Sequence, residues 1–268
     1  ALIDLHAPSV ADVSFPVPPH PAWAGVEAWQ RSWWFSKLIE RHSKDDAPLR
    51  WANSDPEHID WLAIEMGPRL ASHFHAACGL ADVSMTVELT YHWQANNRLV
   101  EPDDLRRIGQ AVARALEGLA KGTKMPRGVK PPEPPFHMNS DWCWLRVPRQ
   151  CNAKVNEDVV SIQADGNQAD ATLLFTEPIK VGRQRLEVTA NLYRTSHRKC
   201  PLQRLVYFFK NGVFTGEIVE QKGELGSQNV VRWRGPTKRK KPADAARVAV
   251  SIRNWPGTIT LGRPERQE

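Results

Sequence analysis

The 268-residue chain is 41% hydrophobic and 25% charged, with a net charge of +6. That composition excludes a disordered or collagen-like chain, and no apolar run approaches the ~18 residues a membrane-spanning helix needs. The charge is uneven: residues 1–100 hold 7 Lys/Arg against 12 Asp/Glu, whereas residues 101–268 hold 29 against 18.

The first twenty residues contain Pro8, Pro16, Pro18 and Pro19 with little periodicity, and they read as an extended arm. Helical spacing begins near Ala24, with Trp29, Trp33, Phe35, Leu38 and Ile39 on the apolar side and Glu27, Arg31, Lys37 and Glu40 between them. A second helix opens at Ser54-Asp55-Pro56-Glu57, where Ser or Asp caps the free amides and proline suits the first turn. Gly67-Pro68 interrupts it, and a further helix runs toward Cys78 and ends at Gly79. From Val83 to Trp93 apolar and polar residues alternate, which predicts a strand with one apolar and one polar face. After a turn at Asn96-Asn97, a helix starts at Pro102-Asp103-Asp104. Its buried stripe is Leu105, Ile108, Val112, Ala115 and Leu119, and Gly122 is its stop.

The proline-rich run over 126–138 cannot form regular helix or central strand, and reads as a stiff connector. Beyond it short β-rich runs recur: Val159–Gln163, Ala171–Thr176, Leu186–Tyr193, Leu205–Phe209, Val213–Val219, Val230–Trp233, Val248–Ile252 and Thr258–Leu261. Asn211-Gly212 between two of them predicts a type I′ hairpin turn. The expected fold class is α+β. A mainly helical, acidic, Trp-rich part (1–125) with one amphipathic strand is followed by the connector (126–138) and a basic, antiparallel β-rich part (139–268).

An acidic half joined to a basic half points to a polyanionic partner for one end. In Val230-Val231-Arg232-Trp233-Arg234 the two arginines and Val230 share one strand face, with Val231 and Trp233 on the other, and two arginines so spaced match neighbouring phosphates. Lys238, Arg239, Lys240 and Lys241 extend the charge into a loop. Arg183, Arg185, Arg194, Arg198, Lys199 and Arg204 join the same surface if the sheet folds accordingly. Phe208, Phe209 and Phe214 look like core rather than a stacking platform, so backbone contact to DNA or RNA is expected. The leading expectation is therefore a nucleic-acid-binding protein, with the Trp-rich part packing on the basic part or docking a protein partner.

Two alternatives follow from other residues. His197, among cations and near Tyr193 and Lys199, has the chemistry of a base for metal-independent RNA cleavage. Glu220-Gln221-Lys222 has the E-x-K form of metal-dependent nucleases, with Asp170 or Glu187 as a further ligand, but no aspartate lies between residues 171 and 243. The second alternative is an interaction module whose basic half meets an acidic protein.

His73, His75 and Cys78, with His92, form only a loose metal constellation: His73 and His75 point apart on a helix. Asp165-Gly166-Asn167 reads as a hairpin turn rather than a calcium loop. No metal is expected. No cofactor is expected either, since a phosphate loop, a Rossmann fingerprint and a G-x-S-x-G elbow are all missing. The start Ala1-Leu2-Ile3-Asp4-Leu5-His6 lacks a signal-peptide layout. Cys78, Cys143, Cys151 and Cys200 lack C-x-x-C spacing, so reduced thiols in the cytoplasm are expected.

Overall fold

The structure, a computed structural model, describes residues 1–9, 14–43, 71–90, 99–125, 129–136, 138, 141–157, 159–166, 168–182, 185–225, 229–236 and 238–267. The chain divides into two compact units, Ala1–Pro134 and Pro135–Glu268. Among the described residues strand outweighs helix, 46% to 22%, and the N-terminal part carries a three-stranded sheet, so the expectation of a mainly helical N-terminal part with one strand does not hold.

The first unit is organised around β3 (Ser84–Thr90). β1 (Leu2–Ser9) runs parallel to it, with Leu2 opposite Ser84, and β2 (Phe15–Val17) pairs antiparallel on the other side. The segment expected as an extended arm thus supplies two of the three strands. Proline is tolerated there because β1 and β2 are the edges of this sheet.

Four helices accompany this sheet among the described residues: α1 (Pro21–Ala24), α2 (Val26–His42), α3 (Ala71–Ala77) and α4 (Pro102–Ala120). α2 presents Phe35, Leu38 and Ile39 to a core shared with Met85 and Val87 of β3 and Ile108 of α4. The Ser32 hydroxyl lies 2.9 Å from the carbonyl oxygens of both Ala28 and Ser84, which ties α2 to the start of β3. The adjacent tryptophans divide: Trp34 is buried in this core, and Trp33 is half-buried at its margin.

The polar face of β3 is buried too, contrary to the half-exposed strand its alternation predicts. Ser84 donates to the Ser72 carbonyl at 2.8 Å, and the Ser72 and Thr86 hydroxyls meet at 3.2 Å, so α3 covers that face through hydroxyl bonds. α4 begins on a capping box: the Glu101 amide donates to the buried Asp104 carboxylate at 2.9 Å. Leu105, expected in the stripe of α4, is 36% exposed. The helix expected from Ser54, the strand end Tyr91–Trp93 and the Asn96-Asn97 turn lie outside the described residues.

The second unit holds β4 (Trp142–Arg149), β5 (Cys151–Asn156), β6 (Val159–Ala164), β7 (Ala169–Phe175), β8 (Ile179–Lys180) and β9 (Glu187–Arg194). β10 (Cys200–Lys210), β11 (Val213–Leu225), β12 (Val230–Arg234), β13 (Ala245–Trp255), β14 (Thr258–Leu261) and β15 (Glu265–Arg266) follow. They form two antiparallel six-stranded sheets, ordered β11-β10-β13-β7-β4 with β8 on β13, and β12-β9-β14-β6-β5 with β15 on β9. The core buries Trp142, Tyr207, Phe208, Trp233 and Trp255. The Trp233 indole N–H donates to the Ala249 carbonyl at 2.7 Å and so bonds β12 of one sheet to β13 of the other. The β10–β11 hairpin turns on Asn211 and Gly212, at φ 51° and 77°, where glycine and asparagine accept a left-handed backbone. This is a β-sandwich arrangement.

Candidate functional site

β11 and β12 are edge strands, one from each sheet. Beside them lies an open cleft of about 740 Å³. β10 supplies Arg204 to its lining, β11 supplies Gln221, and β12 supplies Val230, Arg232 and Arg234. Arg185, just before β9, and Asn229, just before β12, complete it.

Alternation along β12 explains its share. Val231 and Trp233 are buried, so Arg232 and Arg234 must face outward. Gln221 bridges the two edges. Its side-chain carbonyl accepts from the Arg234 amide at 3.3 Å, and its side-chain amide donates to the Arg234 carbonyl. Arg204 makes a second bridge, donating from Nη1 to the Arg232 carbonyl at 3.2 Å. Arg185 donates from Nε to the Gly235 carbonyl at 3.2 Å. Arg232 and Arg234 share one carboxylate, Glu187 of β9, at 3.1 and 3.9 Å.

The cleft is electropositive, with four arginines in its lining. Burial, and after it the charge of Arg234, lowers the Arg204 pKa from its ordinary value. The Nε of Arg204 is buried and has no hydrogen-bond partner among the described residues. Asn229 holds the start of β12 by accepting from the Leu192 amide at 2.8 Å through its backbone carbonyl, while the residue itself is exposed. No aromatic ring belongs to the described lining.

The structure disperses the other basic residues expected to form one track. Arg239 donates to the Gly182 carbonyl at 2.8 Å, Lys241 donates to the Thr215 carbonyl at 2.7 Å, and the Lys240 amide donates to Glu217 at 3.2 Å. Lys238 is exposed. Arg194 donates to the Leu225 carbonyl at 3.3 Å, Lys199 pairs with Glu224 at 3.5 Å, and Arg198 is exposed. Arg232 pairs with Thr189, so Arg194 lies five residues further along β9, about 17 Å away at strand rise. Arg185 and Arg204 do join Arg232 and Arg234 in the cleft, and Arg183 lies outside the described residues. Gln221 and Asn229 had no signal of their own in the sequence, because only the pairing of distant strands gives them a role.

The nuclease constellations do not assemble. Tyr193 and His197 are both exposed, and no hydrogen bond joins them among the described residues. Glu220 is engaged by Gln203 and Lys222, each at 3.0 Å. No group of three or more His, Cys, Asp or Glu among the described residues could hold a metal ion. Among those residues, too, no helix is long and apolar enough to cross a membrane.

No family model and no curated protein matches the chain. Solved structures do resemble it. One is a carbohydrate-binding module of the β-sandwich superfamily, at 8% identity and a TM-score of 0.34, over 49% of this chain and 58% of that one. Another is the enzymatically active domain of bacteriophage CBA120 tailspike protein 4, at 12% identity and a TM-score of 0.32, over 50% and 20%. A third is the family 11 carbohydrate-binding module of Clostridium thermocellum in complex with a mixed-linked tetrasaccharide, at 10% identity and a TM-score of 0.30, over 50% and 92%. The chain thus spans less than two thirds of the first two structures.

The expectation of DNA or RNA binding is corrected here, together with its nuclease and acidic-protein alternatives. Within the chain, the basic residues expected to form one track lie apart: Arg239, Lys241 and Arg194 are bonded at Gly182, Thr215 and Leu225, so no continuous phosphate track forms among the described residues.

Proposed function

We propose that residues 135–268 act as a non-catalytic binding module that holds an oligosaccharide in the cleft beside β11 and β12. One observation carries the reading: guanidinium and carboxamide groups line one open trough, Arg185, Arg204 and Gln221 held there by backbone atoms and Arg232 and Arg234 by Glu187. A volume of about 740 Å³ lies within the usual range for small-molecule sites, but such sites are mostly apolar. A polar trough suits a ligand that is itself polar along its length. Sugar hydroxyls donate and accept at once, as carboxamides do, while guanidinium groups donate up to five hydrogen bonds. Preformed side-chain positions lower the ordering cost of binding.

Affinity electrophoresis and calorimetry against a panel of neutral and acidic oligosaccharides test this directly. At least one glycan is expected to bind, and Gln221→Ala with Asn229→Ala is expected to weaken it about tenfold, as the loss of one to two hydrogen bonds does. If every glycan in the panel passes unretarded, or the double variant binds as the parent does, the cleft is not a sugar site.

A further inference from the structure

We infer that the sugar taken by the cleft is an acidic one, an oligosaccharide whose residues carry carboxylate or sulfate groups; this rests on the reading of the cleft as a glycan site.

The argument begins with charge. Arg185, Arg204, Arg232 and Arg234 line one trough, and Glu187 is the carboxylate that pairs with two of them. Arg185 and Arg204 are held by backbone carbonyls, which fix their position without neutralising them. Like charges gathered in this way repel each other, and after burial, the larger cause, the Arg234 charge disfavours the charged form of Arg204. A bound anion would relieve that repulsion. A neutral sugar would leave it in place.

Geometry adds a second, independent reason. The Nε of Arg204 is buried without a partner among the described residues, so the guanidinium meets the cleft through its Nη1 and Nη2 end. Gly223, opposite Leu202 on β10, leaves space for the same guanidinium: a Cβ added there would lie 3.3 Å from Nη2. The fork of Arg204 is therefore anchored at Nη1 by one backbone bond and given room at Nη2. A planar guanidinium in that state matches a carboxylate or sulfate better than a single hydroxyl, because paired oxygens accept from two of its N–H groups together.

The test uses the full chain and isothermal calorimetry. The probes are tetragalacturonate, a sulfated carrageenan tetrasaccharide, neutral cellotetraose and inorganic polyphosphate. The first two separate the two sources of negative charge. One of them is expected to bind at least tenfold more tightly than cellotetraose, and to weaken as salt is raised, because added ions screen charge. Arg204→Lys keeps the charge but removes the fork, and is expected to lose about tenfold toward the acidic probe, several-fold more than it loses toward cellotetraose. Gly223→Ala, which crowds Nη2, is expected to reduce binding of the acidic probe in the same sense. Should either fail to fold by far-UV circular dichroism, the half-exposed Arg232→Gln replaces it.

Cellotetraose bound as tightly as both acidic probes would overturn the acidic assignment and leave the glycan reading standing. Polyphosphate bound as tightly as the acidic sugar would show that charge alone is sensed, and would also overturn it. If none of the three sugars binds, the glycan reading fails first.

Discussion

Trp233 shows how one residue serves both the sandwich and its cleft. Its ring is fully buried and its indole N–H donates across the sheets to the Ala249 carbonyl. Its neighbours Arg232 and Arg234 project the other way into the cleft. The buried ring therefore fixes the strand that carries two of the cleft arginines. Trp233→Phe keeps an aromatic ring but removes the donor. It is expected to cost about 1–2 kcal/mol, a buried hydrogen bond plus part of the lost volume. Urea unfolding followed by circular dichroism measures this as a lower midpoint with an unchanged slope. A midpoint equal to the parent's would mean that β12 is held by its pairing with β9 alone.

At the scale of elements, what a sequence reveals depends on how local the cause is. The start of α4 is written in adjacent residues: Pro102 in the first turn, Asp103 and Asp104 beside the free amides. The Asn211-Gly212 hairpin is written in two. β1 is not local at all. Its residues gain a partner only when Leu2 meets Ser84 far along the chain, and nothing around a proline-bearing segment encodes that pairing. The alternation of β3 was legible, but not the covering of its polar face, which depends on Ser72 in another helix. The cleft was half legible for the same reason. Arg232 and Arg234 stand out within one strand, whereas Gln221 and Asn229 matter only once two sheet edges adjoin. The cap of α4 offers a test of local encoding. Asp104 is fully buried, accepts from the Glu101 amide and pairs with Arg107 at 3.2 Å. Asp104→Ala is expected to destabilise the first unit by about 2 kcal/mol, a cap plus a buried hydrogen bond. Tryptophan fluorescence in a urea titration reads it, and a loss under half that size would show that α4 is held by its apolar stripe alone.

For the whole molecule, net charge told less than its internal use. The excess of Lys and Arg beyond residue 100 looked like one track for a polyanion, yet Arg239, Lys241, Arg194 and Lys199 each have partners within the fold. Four arginines line one cleft, whose described residues, from Arg185 to Arg234, all fall within the second unit. Both six-stranded sheets fall there too, as do the buried Trp142, Tyr207, Phe208, Trp233 and Trp255. A chain of this size with its own core has enough buried surface to fold alone. The fragment 135–268 is therefore expected to unfold in a single cooperative transition and to keep the affinity of the full chain for its glycan within about threefold, a difference below 1 kcal/mol. Differential scanning calorimetry and binding calorimetry on the fragment and the full chain decide the matter. A fragment that folds but has lost the glycan would mean that residues 1–134 complete the site, and one that aggregates would mean that they complete the core.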